Sequence, residues 1–509
     1  MIPGRRFSEL QITIWLWLLI FIASPLTGRG EAQQAFSSLQ DGQQHRSTDS
    51  AEAEDRPFPA LLVSDIHFDP LHDPAKVQQL VSAPVSQWSS ILSAPSSPNQ
   101  QQAFAALQKK CNARGIDTPY TVLHSSLQAM RSWQSDARFM TVSGDLIAHS
   151  FLCRYTTLVP GSTQSDYQAF VLKTLSFVMG ELRATFPGMP VYVALGNNDT
   201  ACDDYRLDAG SDFLAQTGRI VAEGVPRSQR RRVSKVFARG GYYSLAMGAP
   251  MRYTRLIVVN DIFLSPKYST CAGRPDSAAA TAEMTWLQQE LTQARRLSQK
   301  VWVMGHIPPG VDPYSTVAKF KDICGNGSPE MFLSSDKLAD LLIEYADVIR
   351  LGIFAHSHMD EVRLLKPQGS GPQVSEHSVA IKMVPSVSPV DGNNPSFTIG
   401  RVDRSSAVLR DYEVIAASNQ TGIATTWSRE YDYAQTYHEA EFSPSTVKEM
   451  ITEFEYDRSA KTAASEAYIR NFYVGDRSSE LKPFWPLYVC ALENHTAKAF
   501  DACVCSAGK

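Results

Sequence analysis

Hydrophobic residues along this chain of 509 residues gather in short runs, each closed by a polar cluster. Ala60–Ser64 leads into Asp65-Ile66-His67, Phe139–Ser143 into Gly144-Asp145, and Val191–Leu195 into Gly196-Asn197-Asn198-Asp199. Leu256–Val259 leads into Asn260-Asp261, Val301–Met304 into Gly305-His306, and Val348–Phe354 into Ala355-His356-Ser357-His358. Runs this short, bounded by glycine and polar residues, predict buried strands. Helical patterns lie between several of them. Met284, Leu287, Leu291 and Ala294 fall on one helical face, and a second helix is predicted from Tyr167 to Thr185. Strands alternating with helices predict an α/β sheet core. In open sheets of this kind ligands bind beyond the carboxyl ends of the strands. The six clusters are therefore expected to converge on one site.

The ends of the chain have a different pattern. Arg5 and Arg6 precede an apolar run from Ile12 to Ala23, followed by small and polar residues. This predicts a secretory signal over residues 1–32. The run is short for a hydrocarbon core of ~30 Å, and no later stretch is long and apolar enough to span a membrane. Residues 33–57 lack apolar periodicity and are expected to form a disordered linker. A catalytic domain is expected over 58–412 and a C-terminal helical extension over 413–509. Within the extension, Thr446–Phe454 and Ala463–Phe472 predict helices, and Tyr488–Ala502 a Cys-containing tail.

Composition narrows the picture further. Eight cysteines, an even number in an exported chain, predict up to four disulfides with the connectivity open. Only Cys503 and Cys505 are close in sequence, which argues against a zinc knuckle. A net charge of −4 gives no sign of a nucleic-acid binder.

The clusters supply Asp65, His67, Asp145, Asn197, His306, His356 and His358. Imidazole with carboxylate and no thiolate suits zinc, iron or manganese. Seven ligands exceed the needs of one tetrahedral ion and suit two ions sharing a carboxylate. On an extended segment, the two side chains of Asp-x-His or His-x-His point the same way. Paired metals activate water and neutralise phosphate oxygens during in-line displacement. Each cluster alone is an ordinary strand end or turn; their order and common placement argue for a site.

This ordered set resembles the calcineurin-like metallophosphoesterase superfamily. Gly144-Asp145-Leu146-Ile147-Ala148-His149, His306-Ile307-Pro308-Pro309-Gly310, His358-Met359-Asp360-Glu361, Pro385-Ser386-Val387-Ser388-Pro389 and Asn394-Pro395-Ser396-Phe397 resemble its acid sphingomyelinase and sphingomyelinase-like branch. The resemblance implies an α/β (α+β) fold of four layers, two mixed β-sheets flanked by helices. It implies Asp65, His67, Asp145 and His358 around one metal, and Asp145, Asn197, His306 and His356 around the other. Zinc is the implied metal, with manganese or iron as alternatives. The implied function is a secreted phosphodiesterase. An endopolyphosphatase or nucleotide phosphohydrolase of the same superfamily is the alternative. A catalytically weak ligand-binding or surface interaction protein is the alternative from another class. The expected partners are a small phosphodiester, phospholipid headgroup, nucleotide or polyphosphate. A monomer is expected, in an extracellular, periplasmic or lysosome-like compartment.

The chain departs from the family pattern in places. Asn198 stands where the superfamily usually has a histidine, and an amide transfers no proton at neutral pH. His149 is therefore the expected general acid, with Asn198 as a phosphate-orienting donor. Ala355 replaces a usual glycine, with little effect expected. Residues 33–57 contain no cysteine and form no saposin domain, so soluble substrates gain over membrane lipid. Ala148 stands where purple acid phosphatases carry a tyrosine ligand. Arg227, Arg230, Arg231, Arg232 and Lys235 are read as a solvated loop, His124 as structural, and His72 and Asp73 as neighbours of the first motif. Asn419-Gln420-Thr421 and Asn494-His495-Thr496 are glycosylation sequons.

Overall fold

The computed structural model describes residues 56–506, apart from 320–323, 325–326 and 369–376. The expected signal at 1–32 and nearly all of the linker lie outside the described residues. Strands β1 (Phe58–Val63), β2 (Met140–Val142), β3 (Val191–Val193), β4 (Tyr243–Ala246), β5 (Thr254–Val258) and β6 (Lys300–Met304) come first. They are followed by β7 (Ile349–Phe354), β8 (Glu361–Leu365), β9 (Val379–Met383), β10 (Ser396–Val402), β11 (Leu409–Ala417) and β12 (Trp427–Asp432). They form two sheets of six strands, ordered β12-β11-β10-β1-β2-β3 and β4-β5-β6-β7-β9-β8. Both sheets are mixed. β1, β2 and β3 are mutually parallel, as are β5, β6, β7 and β9, with antiparallel strands completing each sheet.

The apolar runs became the parallel strands because both of their faces are covered. Every residue of β1, β2 and β3 is buried. The sheets meet through side chains. The ring of Phe139 lies 5.7 Å from that of Trp302, edge on. The Tyr243 hydroxyl donates to the Val193 carbonyl at 3.1 Å and accepts its N–H at 3.0 Å. Helix Gln164–Thr185 buries Phe170, Leu175 and Leu182 and starts with a capping box between Thr163 and Asp166. Helix Ser277–Arg296 buries Leu287, Leu291 and Ala294.

The first sheet runs further than the expected domain boundary. Position 412/413 falls inside β11, which pairs with β10 on one side and β12 on the other, as far as Asp432. Helices beyond it span Tyr433–Tyr437, Pro444–Tyr456, Ala463–Phe472, Trp485–Glu493 and Ala497–Ser506. The eight cysteines form four disulfides: Cys111–Cys153, Cys202–Cys271, Cys324–Cys505 and Cys490–Cys503. This fits an oxidising compartment. Among the described residues no helix is long and apolar enough to cross a membrane.

Candidate metal centre

The carboxyl ends of β1, β2 and β3 deliver Asp65, His67, Asp145, Asn197 and Asn198. Those of β6 and β7 deliver His306, His356 and His358. The two sets meet. His67 Nε2 lies 3.4 Å from Asp145 Oδ2, 3.7 Å from Asp65 Oδ1 and 3.1 Å from His358 Nε2. His306 Nε2 lies 3.2 Å from Asp145 Oδ2, 3.2 Å from Asn197 Oδ1 and 3.3 Å from His356 Nδ1. Asp145 thus belongs to both groups of donor atoms.

The backbone here is not the extended chain expected for Asp-x-His and His-x-His. Asp65 and His67 have φ of 43°, Asp145 52°, His356 75° and His358 67°. All are in the left-handed region, which costs an L-residue roughly 1 kcal/mol or more. Strain of this kind persists where the surrounding structure fixes it, often at functional sites. The Asp65 N–H donates to the Gly144 carbonyl at 3.1 Å and the His67 N–H to that of Asp145 at 2.8 Å. Ser388 and Ser386 donate their N–H groups to the carbonyls of Asp65 and His358. Gly196 is required by contact, since a Cβ there would lie 2.1 Å from Asp145 Oδ1.

Outer contacts aim the rings. His67 Nδ1 donates to the Ile147 carbonyl at 3.0 Å, and His306 Nδ1 to that of Ser143 at 2.8 Å. His358 Nδ1 lies 3.0 Å from Asp391 Oδ2, and His356 Nε2 lies 3.3 Å from the Tyr205 hydroxyl. Each imidazole is thus turned by its outer nitrogen, as in metal sites generally. Asp199 accepts the N–H groups of Leu146, Ile147 and Gly196, locking two ligand loops together. Asp261, read from sequence only as a strand end, accepts the His306 N–H at 2.7 Å.

The carboxylates and imidazoles of the cluster shift one another strongly. Burial would raise the Asp145 carboxyl, but His306 and His67 outweigh it and hold it well below the usual range. Burial would lower His306, but Asp145 and Asp65 push it up to about 10. Burial and the neighbouring His306 take His356 down to about 3. Asp65 Oδ1 is fully buried and accepts no hydrogen bond from the described residues, with His358 Nε2 3.5 Å away. A buried carboxylate oxygen without a donor, beside imidazole nitrogens that face one another, fits divalent ions in donor type and arrangement.

His149 lies beside the cluster. Its ring stacks on that of His67 at 3.9 Å between centroids and is 5.6 Å from that of His358. The Asn198 backbone N–H donates to Asp145 Oδ1 at 2.8 Å and its side-chain amide to Oδ2 at 2.9 Å. Its amide is therefore engaged with the shared carboxylate. Asp117, which nothing in the sequence pattern marked, accepts from the His149 ring at 2.9 Å.

No family model matches the chain. Acid sphingomyelinase-like phosphodiesterase 3b from Mus musculus is 26% identical over 352 residues, which is 66% of this chain and 69% of that protein. Sphingomyelinase phosphodiesterase D from Dictyostelium discoideum is 25% identical over 64% of this chain and 66% of that protein. Cyclic GMP-AMP phosphodiesterase SMPDL3A from Mus musculus is 23% identical over 76% of this chain and 82% of that protein. The chain is thus similar to the acid sphingomyelinase-like phosphodiesterases. The two mixed sheets flanked by helices are the architecture that the resemblance implied.

The remaining sequence features are not among the ligand groups. The His72 ring lies 4.4 Å from that of Phe104, tilted against it, and Asp73 accepts the Ser97 N–H at 3.0 Å. His124 is exposed, its ring 5.8 Å from that of Tyr120. Most of the basic run lies on helix Arg230–Gly240 rather than in a loop, because Val233 and Phe237 give that segment an apolar face.

Proposed function

We propose that this protein is an exported phosphodiesterase that uses two divalent ions, zinc first among them, to hydrolyse a soluble phosphodiester with water. The observation that carries the reading is the pair of donor groups sharing Asp145 beside His149. Asp65, His67, Asp145 and His358 would hold one ion, and Asp145, Asn197, His306 and His356 the other. When bound, the ions supply an activated water and neutralise phosphoryl oxygens. The protein's own groups do the rest. Water oxygen bonds to phosphorus as the ester P–O bond breaks, and His149 gives its proton to the departing oxygen. The proton lost by water passes to solvent, which later recharges His149. Asn198 has no proton to transfer, and its amide N–H orients phosphate or the shared carboxylate.

The four disulfides support the export reading. The names of the relatives support a phosphodiester over a monoester. The test is elemental analysis of the mature protein together with bis-p-nitrophenyl phosphate turnover on the same sample. Two ions per chain and turnover abolished by a chelator are expected. Absence of both after reconstitution would turn the reading towards a ligand-binding protein. His149→Ala should keep both ions. Loss of an ion would make His149 a ligand instead of the acid.

A further inference from the structure

A carboxylate outside the ligand groups makes several contacts that converge on one histidine. Asp117 is fully buried in the irregular segment after helix Gln100–Lys110. Its Oδ1 accepts His149 Nδ1–H at 2.9 Å, and its Oδ2 accepts the His149 backbone N–H at 3.0 Å. A single carboxylate thus grips both the ring and the main chain of the same residue, which fixes the direction in which the imidazole points. With Nδ1 engaged, Nε2 is the nitrogen free to meet a leaving group.

Asp117 is itself held. Arg154, also fully buried, donates to Asp117 Oδ2 at 3.4 Å and to Asp69 Oδ2 at 2.7 Å. The Ser388 hydroxyl donates to Asp117 Oδ1 at 3.3 Å. Thr118, the next residue, donates its N–H to the His67 carbonyl at 3.1 Å and accepts that of Asp69 at 2.8 Å. The Cys111–Cys153 disulfide ties the start of the segment to the residue preceding Arg154. The line Asp69–Arg154–Asp117–His149 therefore runs from the strand end carrying His67 to the ring beside it. If the only task were to pair Arg154, Asp69 at 2.7 Å would serve alone. The second carboxylate is spent on His149.

We infer that Asp117 is a positioning residue, holding His149 so that Nε2 delivers its proton to the departing oxygen of a phosphodiester. This rests on the function proposed above. The test uses the metal-loaded full chain and two substrates, an alkyl phosphodiester with a poor leaving group and bis-p-nitrophenyl phosphate. A positioned acid matters most where the leaving oxygen is basic. Asp117→Asn should lower alkyl-ester turnover by about ten- to a hundredfold, within the range for general acid catalysis. It should leave nitrophenyl turnover within about threefold and metal content unchanged.

His149→Ala should show the same selectivity, and adding Asp117→Asn to it should cost little more, since residues acting as a unit are not additive. Equal loss on both substrates, or effects that multiply in the double variant, would overturn the inference. If His149→Ala itself loses both substrates equally, the acid assignment falls, and the inference with it. If His149→Ala is selective and Asp117→Asn is not, this inference alone fails. Should the Asn variant not fold, Asp117→Glu keeps the charge beside Arg154 and displaces it by one methylene. The same selective loss is then expected, and an equal loss again overturns the inference.

Discussion

Two buried polar clusters stand almost side by side in this protein, with only Met359 between His358 of one and Asp360 of the other. Both bury charge, and they settle it in different ways. Around Asp360 every strong demand is met from within. Lys382 pairs with one carboxylate oxygen and donates to the Met383 carbonyl at 2.7 Å. Tyr431 donates to the other oxygen at 2.6 Å, and the Lys382 ammonium lies 4.7 Å above the Tyr412 ring. Neither Asp360 nor Lys382 has a left-handed backbone. Around Asp145, imidazole nitrogens face each other at 3.1 and 3.3 Å, Asp65 Oδ1 has no hydrogen-bond donor among the described residues, and five candidate ligands are left-handed. Burial of charge is common to both clusters. What singles out the site among the described residues is the gathering of imidazole and carboxylate donors within reach of one another, carried on left-handed backbone.

Four experiments press on that contrast. Asp145→Ala removes the carboxylate common to both donor groups. It should reduce turnover on the order of 10³-fold or more, equivalent to about 4 kcal/mol of barrier, and metal content should fall with it. Normal metal and turnover would move the site elsewhere. Lys382→Met leaves Asp360 buried without its cation. Denaturant unfolding should show a loss of about 3–5 kcal/mol, while folded molecules keep their metal. A drop in metal per folded chain would show that the two clusters are one. Chelation acts on the first cluster only. Removing ions present at a hundredfold above their Kd should cost about 2.7 kcal/mol for each ion, and the Lys382→Met protein should lose a similar amount if the clusters are independent. Asp65→Gly relieves a left-handed position and a carboxylate oxygen without a donor. In the metal-free protein the relieved backbone strain, about 1 kcal/mol, should be offset by the lost attraction to His358 and His306, leaving stability nearly unchanged, whereas Asp360→Gly should destabilise it.

Much of this was legible in the sequence for a physical reason. The ligand-bearing strands are short, covered on both faces and closed by polar residues at the carboxyl end, so apolar runs report both the strand and where it delivers its chemistry. The strands seen least clearly are those with charge inside them. Glu361, Arg363 and Lys382 interrupt β8 and β9, yet all are buried. Their partners, among them Tyr488 on Glu361, lie far away along the chain. The boundary set at 412 failed to anticipate that β11 continues the sheet. The left-handed ligands were invisible, because residue type at Asp65 or His358 says little about φ once long-range contacts impose it. Asp117 sits in a segment without periodicity, and only its place in the fold gives it a role.

The Cys111–Cys153 bond closes a loop over 42 residues and fastens the segment of Asp117 against the helix of Arg154. No candidate metal ligand is a cysteine, so a chain made under reducing conditions would keep its full set of donors. It would lack the fastening behind His149. On the proposed reading, forming this bond would aim His149 in a step separate from the loading of ions.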